Sequence, residues 1–462
     1  MKKSCAVILA GGEGTRMKSN KPKVMDQVLF RPMLSWVIDA ARDAGIEDIL
    51  VVTDYKSEIM EEYLAGSAET AKQHPGTGHA VMQAMDFIIR HSGADVLILN
   101  GDAPLIDAKT ISDSHIYHTK GNFVQTVISA RVENPFGYGR IVRDKNGKFT
   151  AIAEEVSADE KIKRINEINS GAIWFDCDAL VELLKKITSN NSMGEYYLTD
   201  TVELALSEGK KVGAYTTDNS DAVLDANSGV QLFKLNEKLR MRTLEKFMLE
   251  GVAIPCADGV IIDPTAKIGN NTVILPGTII KEGCIIGNNC IIGPSSVLYK
   301  TVVGNGTTLN NVQSEKSTIA DNVTVGPFAH IRPGTNIENG VHIGNFVEVK
   351  NSSVGKKTSI SHLTYVGDSD VGKGVNFGCG VVTVNFNGKE KNRCTIEDDA
   401  FIGCNTNLIA PVNIGKRAYT AAGSTITEDV PEDALSIARQ RQINKENWVK
   451  EKKPYREKNI RR

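Results

Sequence analysis

At 462 residues, and roughly 150 residues per domain, the chain is too long for a single small module and has room for two to four domains. Its 54 basic and 56 acidic side chains leave a formal charge of −2, so no global field draws in nucleic acid or an anionic membrane, and any anionic ligand must be held by local groups. Hydrophobic residues make up 41%, enough to fill buried cores, yet no run approaches the roughly 18 uninterrupted apolar residues of a membrane span.

Up to about Gly251, strand and helix patterns alternate. Met1-Lys2-Lys3 leads into only a short apolar stretch, closed by Gly11 and Gly12 rather than by a signal-peptide cleavage region, and reads as the first buried strand of a cytoplasmic protein. Cys5 to Leu9, Ile49 to Val52 and Val96 to Leu99 are short continuous apolar runs, the pattern of strands buried on both faces of a parallel sheet. Pro32 to Ala44 is bounded as a helix, with proline at its start and Gly45 past its end. Together these predict a doubly wound α/β domain of about 225 residues. The first strand runs into Leu9-Ala10-Gly11-Gly12-Glu13-Gly14-Thr15-Arg16-Met17. This loop is neither a dinucleotide fingerprint, whose third glycine would fall on Met17, nor a Walker loop, since no Lys-Ser/Thr ends it. Its glycines free backbone N–H groups for phosphate oxygens, and Arg16 and Lys23 add positive charge. Alone it would read as an ordinary strand-to-helix turn. The run Val96–Leu99, however, leads into Asn100-Gly101-Asp102, placing a carboxylate where open α/β sheets bind ligands and where it suits Mg²⁺ between phosphates. Leu232, Leu235, Leu239, Leu244, Phe247 and Met248 then recur at near-helical spacing and predict a long connecting helix.

From Val252 a six-residue repeat takes over. Aliphatics stand at Ile262, Ile268, Ile274, Ile280, Ile286, Ile292 and Leu298, resume from Ile319 to Val349, and resume again from Ile396 to Ile426. Two places before each aliphatic of the first block sits a small or β-branched residue: Val260, Ala266, Thr272, Thr278, Cys284, Cys290 and Ser296. This is the signature of a parallel β-helix, in which each edge contributes one large and one small inward side chain. A single coil cannot enclose its own core, so coils must stack, about ten of them at this length. The frame places Cys284, Cys290 and Cys394 in the small inward slot and leaves Cys379 and Cys404 outside it. No C-x-x-C pair occurs among the eight cysteines, which argues against a zinc site or a disulfide framework. The segment from Val384 to Arg393 breaks the six-residue phase and must bulge out as a loop.

The run L-x-G-G-x-G-T-R-M followed by Lys21-Pro22-Lys23 resembles the nucleotide-sugar pyrophosphorylases. With a hexapeptide-repeat second half, and with Gly76-Thr77-Gly78-His79-Ala80, Gly137-Tyr138-Gly139-Arg140, Glu167-Ile168-Asn169-Ser170-Gly171 and Glu195-Tyr196-Tyr197-Leu198-Thr199-Asp200, the whole chain resembles the bacterial bifunctional N-acetylglucosamine-1-phosphate uridyltransferase / glucosamine-1-phosphate N-acetyltransferase family. The resemblance implies a Rossmann-like nucleotidyltransferase domain over 1–228, a linker helix over 229–251, a left-handed β-helix acetyltransferase over 252–437 and a tail over 438–462. It implies that Leu9, Ala10, Gly11, Gly12, Gly76 and Thr77 contact the uridine moiety, with Gln73 reading the base because the family's usual glutamine position is Ala71 here. Arg16 and Lys23 would act on the triphosphate, Gly139, Glu154 and Asn169 would hold the sugar, and Asp102 and Asn227 would hold Mg²⁺. In the second half it implies His362 as general base, Arg332, Lys350, Tyr365 and Asn376 as sugar-phosphate contacts, and Glu348 as an orienting group. Acetyl-CoA would meet Cys379, Asn385, Phe386, Cys404, Ala422 and Arg439, where cysteine replaces the usual alanine at 379 and serine at 404, and phenylalanine the usual tyrosine at 386. The implied partners are UTP, N-acetylglucosamine 1-phosphate, glucosamine 1-phosphate and acetyl-CoA, in a homotrimer. The rival expectation is a nucleotidyltransferase whose β-helix only supports trimerisation.

Overall fold

In the N-terminal half, consecutive residues of each central strand enter two different cores, as the period of two along a strand requires. Cys5, Val7, Val96, Ile98, Ile173 and Phe175 join one cluster, while Ala6, Ile8, Leu97, Leu99, Ile128 and Trp174 join the other. Helices therefore cover both faces of the sheet. The computed structural model describes residues 2–12, 17, 20–54, 57–65, 68–72, 76–155, 158–189 and 194–452. The sheet runs in the order Val212–Thr217, Gln125–Arg131, Glu167–Asp176, Asp95–Asn100, Ser4–Leu9, Ile49–Thr53 and Glu69–Lys72. The three strands expected in a parallel sheet are parallel, Ser4–Leu9 pairing with both Asp95–Asn100 and Ile49–Thr53, whereas Glu167–Asp176, which the sequence does not single out as a strand, pairs antiparallel with both Asp95–Asn100 and Gln125–Arg131. The reason is the inserted hairpin Arg140–Arg143/Phe149–Ala153, whose first strand also pairs antiparallel with Glu167–Asp176 and which returns the chain in the reverse direction. The parallel pairs at Ser4–Leu9 still bring Leu9 beside Asn100, so the glycine turn and the Asp102 turn open at the same sheet edge.

At the opposite end of that strand, Asp95 is buried and receives hydrogen bonds from Lys2 (2.7 Å) and His115 (2.9 Å), with His118 3.6 Å away. Burial pushes its carboxyl upward, but the contacts from His115, His118 and Lys2 outweigh this and hold its pKa well below the usual carboxylate range. A depressed folded pKa contributes stability that is present above the unfolded value of about 3.9 and is lost as pH falls below it. Asp95→Asn removes the negative charge and turns one of the two acceptor oxygens shared by two buried histidines and Lys2 into an NH₂ donor. We expect it to cost about 3–5 kcal/mol at neutral pH and to flatten the acid limb of the urea midpoint plotted against pH. A variant midpoint equal to that of the wild type at pH 7 would show that the cluster contributes nothing.

The C-terminal half forms three parallel stacks of ten, nine and ten short strands among the described residues, in agreement with about ten coils. The first stack joins every third strand, from Ile261–Ile262 to Ile279–Ile280 and onward to Thr425–Ile426. The inward slots hold as expected at all but one position: Val260, Ala266, Thr272, Thr278, Cys284, Cys290 and Ser296 are buried, as are Ile262, Ile274, Ile280, Ile286, Ile292 and Leu298, while Ile268 is only partly buried against the same core. Each inward aliphatic contributes roughly 1.5–3 kcal/mol by leaving water. Cys394 is buried too, Cys379 is intermediate and Cys404 exposed. The segment 385–393 leaves the prism as a hairpin loop, bridged Phe386 to Lys391 and pinned at its base by Arg393 on Asp370 (2.6 Å).

The helix Gly229–Leu249 spans most of the expected linker segment 229–251. The chain divides into compact units at Arg242/Thr243, inside it. Its first half bonds to the N-terminal unit through Asn236 to the Leu29 N–H (2.9 Å) and Lys238 to Asp221 (2.7 Å), whereas Leu244 and Phe247 belong to the β-helix core. No helix among the described residues is long and apolar enough to cross a membrane.

Candidate active sites

Asp102 follows the strand Asp95–Asn100, and its backbone carbonyl accepts from the Ala226 N–H (3.3 Å), which draws the segment 225–227 to the same edge. Lys23 stands at the start of the 3₁₀ turn Lys23–Met25, buried. Its ammonium donates to Asp102 Oδ2 and to Asn227 Oδ1, so three residues far apart in sequence converge. Asn227 is held in turn: its backbone N–H donates to Gln231 Oε1 (3.0 Å) and its side-chain amide to Asp225 Oδ2 (2.7 Å). Burial, with repulsion from Asp102, pushes the Asp225 carboxyl above its ordinary value. Two hard oxygen donors already facing a cation, here the Lys23 ammonium, fit a divalent ion that fills the rest of its shell with water and phosphate oxygens. Among the described residues no group of three or more His, Cys, Asp or Glu side chains forms a metal cluster.

The other expected contacts ring this edge. Leu9 ends the first strand, Ala10 and Gly11 are buried and Gly12 is exposed. Gly76, at φ 102°, packs so closely that a Cβ would meet the Tyr196 carbonyl at 2.9 Å, and Thr77 Oγ1 accepts from the Leu198 N–H (3.1 Å). The residues expected to hold the sugar lie together: the Asn169 N–H donates to Gly139 O (2.8 Å), and a Cβ on Gly139 would meet the Glu154 carboxylate at 3.3 Å. A register shift between Asn169 and Ile173 breaks the ladder at this point, the usual device for re-aiming a side chain. Arg16 and Gln73 lie outside the described residues.

In the β-helix, one corner carries a ladder. The Gly380 N–H donates to His362 O, the Asn405 N–H to Cys379 O and the Gly423 N–H to Cys404 O, so His362, Cys379, Cys404 and Ala422 follow one another coil by coil. Arg439 comes next, its Cδ 3.8 Å from where a Gly423 Cβ would sit. With strands about 4.8 Å apart, His362 and Ala422 stand about 14 Å apart along the prism, on the scale of an extended thioester arm. His362 is exposed, on the rim of a groove of about 290 Å³ formed with Phe328, Asn345, Phe346 and Ser361. Its Nδ1 lies 2.7 Å from Asn345 Oδ1. An amide oxygen only accepts, so in the neutral ring Nδ1 carries the proton and Nε2 the lone pair.

The adjoining face holds the cations. Arg332 pairs with Glu348 (2.7 Å), Lys350 lies 3.9 Å from Asp368, and Asn385 donates to Tyr365 Oη (3.3 Å) and to Asp368. Burial would raise Asp368, but hydrogen bonds from Asn351 and Asn385 hold it low. Two residues here escaped the sequence reading. Asn345 was findable, since it lies one coil of 17 residues before His362 and pairs with it in register. Lys391 carried no signal; the loop brings it against Lys350, whose contact and like charge lower its pKa. Asn376 stands apart on the preceding face, paired in register with Ser359 rather than His362, and Phe386 is exposed on the loop.

Comparison with known proteins fits this division of labour. A nucleotidyl transferase family model matches residues 5–227, and a bacterial transferase hexapeptide model matches 265–300 and 316–351. The latter agrees with the expected left-handed β-helix. The chain is 48% identical to the "Bifunctional protein GlmU" of Caldanaerobacter subterraneus subsp. tengcongensis over 98% of its own length and 99% of that protein's. It is 47% identical to that of Acetivibrio thermocellus over 96% of each chain, and 46% identical to that of Thermoanaerobacter pseudethanolicus over 96% and 97%. With both halves present and identity sustained from end to end, the chain belongs to the GlmU family of bifunctional proteins.

Proposed function

We propose that the C-terminal half acetylates glucosamine 1-phosphate from acetyl-CoA and that the N-terminal half joins the resulting N-acetylglucosamine 1-phosphate to a uridylyl group from UTP. The observation that carries the reading is the ladder from His362 through Cys379, Cys404 and Ala422 to Arg439, which offers a track for the CoA arm ending at a base with a free Nε2. The sugar amine attacks the thioester carbonyl, a C–N bond forms, the C–S bond breaks, and His362 Nε2 takes the amine proton and returns it to the departing thiolate. Arg332, Lys350 and Lys391 supply positive charge for the 1-phosphate, and Tyr365, braced by Asn385, lines the same face. Glu348 fixes the Arg332 guanidinium.

In the second reaction a phosphate oxygen of the sugar attacks the α-phosphorus of UTP and pyrophosphate leaves. Asp102 and Asn227 are the residues that would hold Mg²⁺, which when bound neutralises charge on the phosphates. Lys23, released from bridging that pair, and Arg16 would stabilise the developing negative charge. Gly139, Glu154 and Asn169 would bind the acetamido sugar, Leu9 to Gly12, Gln73, Gly76 and Thr77 the nucleoside.

A homotrimer completes the acetyl-transfer site in this reading. Phe328, Phe346 and Leu363 lie beside the ladder, each more than half exposed and at φ 59°, 57° and 47°. Left-handed backbone costs a non-glycine residue roughly 1–2 kcal/mol, and burial of this ridge by neighbouring copies would offset it. A neighbour would also supply what one chain leaves apart, an Asn376 near Tyr365.

The test is the full chain with acetyl-CoA, glucosamine 1-phosphate, UTP and Mg²⁺. CoA thiol and pyrophosphate are expected in equal amounts, with UDP-N-acetylglucosamine as the product. Pyrophosphate release from supplied N-acetylglucosamine 1-phosphate, with no CoA thiol from glucosamine 1-phosphate, would leave only the scaffold role for the β-helix.

A further inference from the structure

The side chain of Asn227 can face a cation in two ways, and only one is useful: its carbonyl oxygen attracts a cation, its NH₂ group repels one. The partners of this amide decide the matter. Asp225 Oδ2 lies 2.7 Å from Asn227 Nδ2, and a carboxylate can only accept, so the NH₂ is turned toward Asp225 and Oδ1 is left facing the Lys23 ammonium and Asp102. Asp225 is itself anchored, since the Tyr138 hydroxyl donates to its Oδ1 (3.3 Å). Tyr138 sits in the Gly137-Tyr138-Gly139-Arg140 turn next to Gly139. That turn is clamped by buried Arg140, which pairs with Glu155 (2.8 Å), while Glu155 also accepts from the Gly137 N–H (3.2 Å).

We infer that Asp225 is a positioning residue: it fixes the Asn227 amide with oxygen toward the cation, and through Tyr138 it is tied to the hairpin that carries Gly139 and Glu154. The inference rests on the reading of Asp102 and Asn227 as the holders of the divalent ion. Outer partners of this kind typically change metal affinity by about 10–100-fold. The Tyr138 tether also couples the two subsites, so that ordering of the hairpin by a sugar phosphate steadies the carboxylate behind the cation.

The experiment titrates the full-length protein with Mn²⁺ and follows free Mn²⁺ by electron paramagnetic resonance, with circular dichroism melting of every variant. Asp225→Ala is expected to weaken Mn²⁺ binding about tenfold, at the low end of that range, with the melting temperature unchanged. It should raise the Mg²⁺ concentration for half-maximal uridylyl transfer while kcat at saturating Mg²⁺ stays near that of the wild type. Asn227→Asp in the Asp225→Ala background removes the need for orientation, since either carboxylate oxygen serves, and is expected to recover the lost affinity. Tyr138→Phe should keep Mn²⁺ affinity in the free protein but reduce its enhancement by N-acetylglucosamine 1-phosphate. If Asn227→Ala binds Mn²⁺ as tightly as the wild type, the cation reading itself fails and the inference with it. If Asn227→Ala loses affinity but Asp225→Ala does not, the cation reading stands and the positioning role is overturned. A double variant no better than Asp225→Ala also overturns it, because a general structural role would not be rescued at position 227.

Discussion

His362→Ala should lower kcat for acetyl transfer by about 10²–10⁴-fold, the span of a general base, while uridylyl transfer to supplied N-acetylglucosamine 1-phosphate proceeds at the wild-type rate. The asymmetry follows from placement: the imidazole belongs to the β-helix corner, whereas Lys23, Asp102 and Asn227 belong to the N-terminal unit. The effect is large because neither of the other two histidines described in the β-helix stands ready to replace it. His342, one coil below, pairs in register with Thr324 and Ser359 and so stands off the ladder, and His330 turns its Nε2 toward Glu315 (3.9 Å). Asn345→Ala is expected to cost less, about tenfold, since it releases the ring and its tautomer without removing the base. The readout is CoA thiol release under saturating acetyl-CoA. Acetyl transfer by His362→Ala within a few-fold of the wild type would remove the imidazole from the chemistry and make the ladder a binding feature only.

The unbroken coil shows where sequence reading reached and where it stopped. In sequence the hexad series has gaps after Leu298 and after Val349, yet the structure fills both. Val303, Leu309 and Ser314 continue the first gap, and Val354, Ile360, Val366, Val371, Phe377 and Thr383 the second, all buried. Some edges there shorten from six residues to five, which shifts the phase without removing the inward side chain. Ser314 occupies an aliphatic slot and meets its polar needs inside the prism, on Ser317 (2.8 Å) and Thr301 (3.2 Å). A rigid period of six cannot register either change. In the N-terminal half, the continuous apolar runs located three strands to within a residue or two of their ends, and these are parallel to one another as expected, but the antiparallel Glu167–Asp176 was not legible, because a buried antiparallel strand and a buried parallel one have the same composition. The same limit holds at the sites. Motifs carried Lys23, Asp102 and His362, because each sits where its strand or turn delivers it. Asp225 and Lys391 act through neighbours brought close by tertiary folding, and a lone Asp or a loop Lys is indistinguishable in sequence from a solvated charge.

Removal of Lys23 or Asp102 should produce the mirror image of the histidine variant. Lys23→Ala is expected to reduce uridylyl transfer by about 10²–10³-fold, comparable to the loss of one preorganised group aimed at developing charge, with CoA thiol release unaltered. Burial makes the lysine effective: its side chain is 9% exposed, so water screens its field poorly and the site keeps its charge without reorganisation during the reaction. Asp102→Ala should fall at least as far, because it removes one of the two oxygens on the cation and also takes from Lys23 one of its two hydrogen-bond acceptors among the described residues. Added Mg²⁺ separates the two variants. Raising its concentration should partly restore Asp102→Ala, whose defect is cation affinity, and should leave Lys23→Ala where it is, since its missing charge was directed at the phosphates. Pyrophosphate release measured across a Mg²⁺ series reads both at once. Equal recovery of the two variants would mean that Lys23 serves only to hold the cation site together, and the transition-state role would pass to other cations of the turn.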